Sequence, residues 1–119
     1  MPGQKSLLVK PAPAQVEDLE RGDIVSFTNV QSGKLRVTAA RVIGLPGDRV
    51  RLEKGEVLVN GSKIGSEYVA AAGKILDDYA EIMVPRDSVF LLCDNRKAGL
   101  SLDSRAVGPV SKWALNTRF

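Results

Sequence analysis

The side chains best equipped for chemistry in this sequence crowd between Cys93 and Pro109. Cys93, Asp94, Asn95 and Arg96 open the run, and Ser101, Asp103 and Arg105 follow before Gly108 and Pro109. A loop so dense in polar groups, directly after the apolar Val89, Phe90, Leu91 and Leu92, is heavily hydrogen-bonded, functional, or both. Two absences narrow the chemistry it can serve. There is no histidine, which removes every His-dependent triad, metal site and proton shuttle. A single cysteine removes an internal disulfide and any multi-cysteine zinc site. Hydrolysis by such a chain requires a serine with a lysine base, paired carboxylates, or a metal held by oxygens.

Each of these residues also has a plain structural reading. Asp103 and Arg105 can form a salt-bridged loop, and Asp94, Asn95 and Arg96 can fix a loop by hydrogen bonding. Cys93, at the end of an apolar run, reads as a small buried residue. Trp113 reads as core. Asp48 reads as the cap of the turn that Pro46 and Gly47 begin.

The elements that must carry these groups are short strands. Residues 41–50 (RVIGLPGDRV) read as a strand closed by a tight turn, because Val42 and Ile43 are β-branched and Pro46 presets φ. Strands are expected at 6–10, 24–28, 35–45, 49–53, 56–59, 62–64, 82–84, 88–92 and 111–119, with one helical turn near 16–20. Residues 11–14 (PAPA) should break regular structure, and 29–34 should form a hairpin loop. In 35–40, Leu35, Val37 and Ala39 alternate with Arg36, Thr38 and Ala40, which predicts one buried face. Asn60-Gly61 is the strongest short hairpin signal. Residues 65–80 read as an irregular insert with one helical turn. The pattern predicts an all-β, antiparallel, barrel-like domain.

With 119 residues, 44% hydrophobic and 26% charged, the chain is sized for one domain spanning 1–119. No stretch approaches the roughly 18 apolar residues of a membrane span, and no signal-peptide core opens the chain, so a soluble protein is expected. The net charge of +3 is spread along the sequence and aromatics make up 5%, which argues against nucleic acid as a partner.

The motifs resemble those of type I signal peptidases, membrane-anchored serine proteases that cleave leader peptides from exported proteins. The resemblance rests on RGDIVSF (21–27), ARVIGLPGDRV (40–50), VNG (59–61), and DNR, SLDSR and GPV within 94–110, in the family's order. It implies a barrel-like coiled sheet and a Ser–Lys dyad. A lysine in an apolar pocket loses its proton, activates the serine, and nearby donors hold the oxyanion. It further implies that an extended leader peptide adds as a strand, its small side chains filling shallow pockets. Within that scheme Val37, Thr38, Ala39 and Ala40 form the peptide-facing strand, with a plain core strand as the alternative. Ser101 supports the lysine, Asp103 and Arg105 tie the loop down, and Asp94, Asn95, Arg96 and Arg41 support the site. No cofactor or metal is implied. The family's catalytic domain lies on the outer face of the cytoplasmic membrane.

The sequence departs from that pattern where the chemistry sits. The family's lysine directly precedes the arginine of the RVIGLPGD-like segment, and here that position is Ala40. Arg41 cannot replace it, since its guanidinium stays charged, and Lys34 lies six residues earlier. The family's serine would fall a handful of residues before Met1, because Pro2-Gly3 and Leu7-Leu8-Val9 match the turn and strand that follow it. Lys97, Ala98, Gly99 and Leu100 also lengthen the gap before Ser101, and Cys93 stands where the family has glycine. The expectation is a signal-peptidase-like domain without peptidase activity. The alternative is a non-catalytic homologue that binds extended peptides or assists assembly at a membrane surface, with self-association through an open sheet edge.

Overall fold

The computed structural model describes residues 12–31, 33–64, 78–93 and 104–119. They form two antiparallel sheets. The first has strand order β1-β10-β2-β3-β8-β9 and the second β6-β5-β4-β7. In chain order these are β1 (Ala12–Pro13), β2 (Ile24–Gln31), β3 (Lys34–Gly44), β4 (Arg49–Glu53), β5 (Glu56–Val59), β6 (Ser62–Lys63), β7 (Tyr79–Met83), β8 (Ser88–Leu92), β9 (Val110–Ser111) and β10 (Leu115–Arg118). A helical turn, α1 (Ser104–Val107), precedes β9. The predicted all-β antiparallel class is borne out, as a curled half-barrel.

β8 belongs to the first sheet but packs its side chains into the cores of both. All five residues of β8 are buried, and its side chains alternate between two cores as strand geometry requires. Val89 and Leu91 join Val25, Phe27, Ala40, Val42 and Leu115 in one cluster. Phe90 and Leu92 join Ile43, Val50, Leu52, Val57 and Val59 in the other. Where β3 leaves the first sheet, Gly44 passes so close to the second that a Cβ would lie 2.6 Å from Val50 Cγ2. The meander after it is set by turn chemistry. Lys54 and Gly55 have φ of 53° and 81°, Asn60 and Gly61 of 54° and 83°. Both two-residue loops therefore have the left-handed conformation whose twist matches a hairpin.

Several expectations are corrected. Ala12 and Pro13 pair with Arg118 and Thr117; an edge strand tolerates a proline that a central one would not. The first hairpin turns later than expected, since β2 and β3 pair from Ile24↔Arg41 out to Gln31↔Lys34. Leu35 and Val37 are 75% and 68% exposed, because the hairpin arm runs on past the core that their alternation suggested they would enter. β7 begins at Tyr79, whose ring meets Phe90 edge-on at 5.3 Å, so 79–80 belong to a strand and not to the insert. Residues 111–119 are interrupted by a 3-10 turn at Lys112–Ala114, capped by the Ser111 hydroxyl accepting from Trp113 N at 3.0 Å. That turn leaves Trp113 86% exposed instead of in the core. The expected strand at 6–10 and the helical turn at 65–77 lie outside the described residues.

Candidate functional site

The site builds outward from β3. Residues opposite one another in an antiparallel pair share a face, so the register Val25↔Ala40 and Phe27↔Thr38 aims Ala40 into the first core. Its methyl is 3% exposed, in the cluster with Val25, Phe27, Val42 and Leu91. Ala39 is exposed on the other face, and with Ile24, Ala40 and Arg41 it lines a shallow depression of about 130 Å³.

β3 pairs with β2 on one side from Lys34 to Arg41, and on the other side only near its end. β8 pairs with it at Arg41↔Leu92, Val42↔Leu91 and Gly44↔Phe90. From Ala40 back to Lys34, no described strand pairs with that edge. The Cys93 thiol lies 3.8 Å from the Ala39 carbonyl oxygen at the point where β8 ends. Cys93 is therefore half-buried and packs against the first core, less enclosed than its apolar neighbours suggested.

Behind this edge, three of the motif segments are tied together by one carboxylate. Asp48 Oδ2 accepts from Leu45 N at 2.8 Å, capping its turn as the sequence predicted. The same oxygen accepts from Arg21 Nη2 at 2.9 Å, and Oδ1 accepts from Asn60 Nδ2 at 3.1 Å. Burial alone pushes the Asp48 carboxyl up; the Leu45 N–H, the Asn60 amide and the Arg21 guanidinium outweigh it and hold the group below its ordinary value of 3.8. Asn60 Oδ1 in turn accepts from Arg49 N at 2.9 Å. Arg41 Nη1 donates to the Gly22 carbonyl at 2.9 Å, so the arginine beside Ala40 braces the RGD turn.

Of the late loop, Arg105 lies on α1 and is half-buried. Asp94, Asn95, Arg96, Ser101 and Asp103 lie outside the described residues. Ser104, which the sequence reading passed over, is fully buried, and its hydroxyl accepts from Leu91 N at 2.9 Å. It satisfies a β8 backbone donor beyond the two residues that β9 reaches. A small hydroxyl between the charged Asp103 and Arg105 was the available signal.

The family model described as signal peptidase, peptidase S26, matches residues 1–118. The chain belongs to the signal peptidase S26 family. It is 33% identical over 110 residues to signal peptidase I of Bacillus amyloliquefaciens, covering 86% of this chain and 56% of that protein. It is 36% identical over 113 residues to a probable signal peptidase I-2 of Synechocystis sp., covering 92% and 50%. The crystal structure of a signal peptidase I from Enterococcus faecalis V583 superposes with a TM-score of 0.66 at 27% identity, covering 82% of this chain and 93% of that one. The chain thus spans about half the length of the curated relatives it matches. Within the S26 family frame, the Arg21–Asp48–Asn60 tie and the β3 edge are its best-defined features.

Proposed function

We propose that this chain is a signal-peptidase-type catalytic domain that keeps the strand site for a leader peptide and lacks the general base, so that it does not cleave peptides. The observation that carries this reading is Ala40. A family lysine would sit here, and the position is buried among Val25, Phe27 and Val42. Such surroundings would strip a lysine of its proton by disfavouring the ammonium. A methyl group has no proton to take or give, and neighbouring Arg41 remains a cation. Ser101, Asp103 and Arg105 keep in this proposal the supporting roles that the family resemblance implies.

The test is direct. A leader peptide ending in Ala-x-Ala, incubated with the chain, should be cut no faster than in buffer. Cleavage above that blank would overturn the reading.

A second reading, a non-catalytic relative that binds extended peptides, is favoured by the β3 edge. On the side of 34–40 away from β2, backbone donors and acceptors with no described strand beside them suit a peptide that adds a strand. The depression beside Ala39 suits a small side chain. Titration with the same leader peptide while following backbone amides of residues 35–39 separates the readings: shifts confined to that edge support binding, and no shift at millimolar peptide ends it.

A further inference from the structure

We propose that Asn60 is a site of spontaneous deamidation and that its hydrogen bond to Asp48 sets how fast the reaction runs. Asn60 is the one asparagine of the chain followed by glycine; Asn29, Asn95 and Asn116 precede Val30, Arg96 and Thr117. A glycine leaves its own backbone nitrogen open to approach, because it has no side chain to crowd it. Nothing lies within 4 Å of the place where a Cβ on Gly61 would stand, and both residues of the turn are exposed, so water reaches the pair. Water is the only other reactant. The Gly61 backbone nitrogen attacks the Asn60 carboxamide carbon. A C–N bond forms as the bond to Nδ2 breaks, and ammonia leaves with the proton that the Gly61 nitrogen gives up. Water then opens the cyclic imide at one of its two carbonyls. One opening leaves aspartate at 60, the other isoaspartate, whose main chain is longer by a methylene. Neither reverts, because the ammonia is gone.

What restrains the step is where the carboxamide is held. Oδ1 accepts from Arg49 N at 2.9 Å, and Nδ2 donates to Asp48 Oδ1 at 3.1 Å. The Asn60 backbone N–H donates to the Arg49 carbonyl at 2.7 Å, so main chain and side chain lean on the same residue. To reach the Gly61 nitrogen the carboxamide must leave both partners, and reacting atoms held out of alignment do not react. The bond to a carboxylate is the stronger of the two, which makes Asp48 the residue that controls release. The product removes the contact that delayed it. A carboxylate at 60 has no N–H for Asp48 and sets a second negative charge against Asp48 Oδ1. The Arg21 guanidinium on Oδ2 is 39% exposed on its own side and offsets this only in part. One of the two carboxyls then takes up a proton more readily than in the unfolded chain. The cost is complete above that raised folded-state pKa and fades as pH falls toward the unfolded value. With age, the link between the β5–β6 turn and the β3–β4 turn is lost in one direction.

The experiment ages the whole chain at mildly alkaline pH and follows residues 60–61 by peptide mass and by enzymatic methylation of isoaspartate. Product should accumulate at 60, ahead of 29, 95 and 116. Asp48→Ala should speed the reaction roughly tenfold, as loss of a hydrogen bond to a charged group implies. Asp48→Asn keeps an acceptor without the charge and should fall between Asp48→Ala and the parent. Gly44→Ala strains the core while leaving both partners of the Asn60 side chain in place, so it should speed the reaction far less; this separates release of the side chain from general unfolding. Asn60→Asp, made directly, should unfold at lower temperature than the parent at pH 7, and the gap should close toward about pH 4. The proposal is overturned if no product forms at 60, if Asp48→Asn reacts no faster than the parent, if Gly44→Ala reacts as fast as the Asp48 variants, or if Asn60→Asp matches the parent at pH 7.

Discussion

At position 40, the proposed reading puts a methyl group in place of a titrating amine, and the neighbouring side chains allow the consequence of introducing that amine to be worked out. A lysine at 40 would bring its ammonium into the cluster of Val25, Phe27, Val42 and Leu91. Burial lowers a lysine pKa by up to several units, and each unit corresponds to about 1.4 kcal/mol between the two protonation states. The folded-state value would lie below the unfolded one near 10.4, so the unfolded chain would bind the proton more readily. The penalty is then complete at pH values below the folded pKa and shrinks as pH rises toward the unfolded value. Ala40→Lys should therefore unfold at lower temperature than the parent at pH 7, and the gap should narrow steadily on titration toward pH 10. A gap that stays constant with pH would mean that the amine reaches water and that position 40 does not face the apolar cluster in solution. Arg41, one residue on, already shows how the fold treats a cation: its guanidinium leaves the core and donates to the Gly22 carbonyl.

Between elements, the Asp48 carboxylate does what no single strand does for itself, joining the RGD turn, the β3–β4 turn and the β5–β6 turn. Its folded-state pKa is below 3.8, so its contribution is complete above that value and is lost as pH falls through the folded one. The parent should lose stability below about pH 4. Asp48→Ala should be destabilised by about 1–3 kcal/mol at pH 7, chiefly from leaving the Leu45 N–H and the Asn60 amide without their acceptor; the Arg21 pair, 39% exposed on the arginine side, adds little. Guanidinium unfolding of both proteins at pH 7 and pH 3 checks this, and the difference should shrink at the lower pH. The sequence made much of this layer legible. Turn residues Pro46, Asn60 and Gly61 and the apolar run 89–92 each announce local structure through backbone conformation or burial. What was not legible depends on distance in sequence. Asp48 was readable as a cap because Leu45 is three residues away, whereas Arg21 lies 27 residues off. The exposure of Leu35 and Val37 was hidden for a related reason: alternation reports that a strand has two faces, but not how far its partner layer extends. Trp113 was misplaced because a 3-10 turn broke the period in which its burial was assumed.

For the molecule as a whole, the arrangement of β8 decides whether two sheets make one folding unit. Val89 and Leu91 belong to one core and Phe90 and Leu92 to the other, and consecutive residues of one strand cannot leave their cores separately. Gly44 sits at the crossing, where β3 passes from the first sheet to the turn that starts the second. A methyl group there would lie 2.6 Å from Val50 Cγ2, 3.1 Å from Val84 Cγ2 and 3.2 Å from Phe90 Cβ. Val50 is held between β5 and β7 and Phe90 between its strand neighbours, so neither can retreat freely, and overpacking of this kind costs about 1–3 kcal/mol. If the cores are coupled through β8, Gly44→Ala should lower the protection of amides in β2 and in β4 by the same free energy, measured by native-state hydrogen exchange, with one shared unfolding transition. Loss of protection in β4, β5 and β7 alone would show the second sheet opening by itself, and 1–119 would then comprise two cooperative units. The two-sided packing of β8 argues for the first outcome, because opening either core exposes one half of its side chains to water while the other half is still packed.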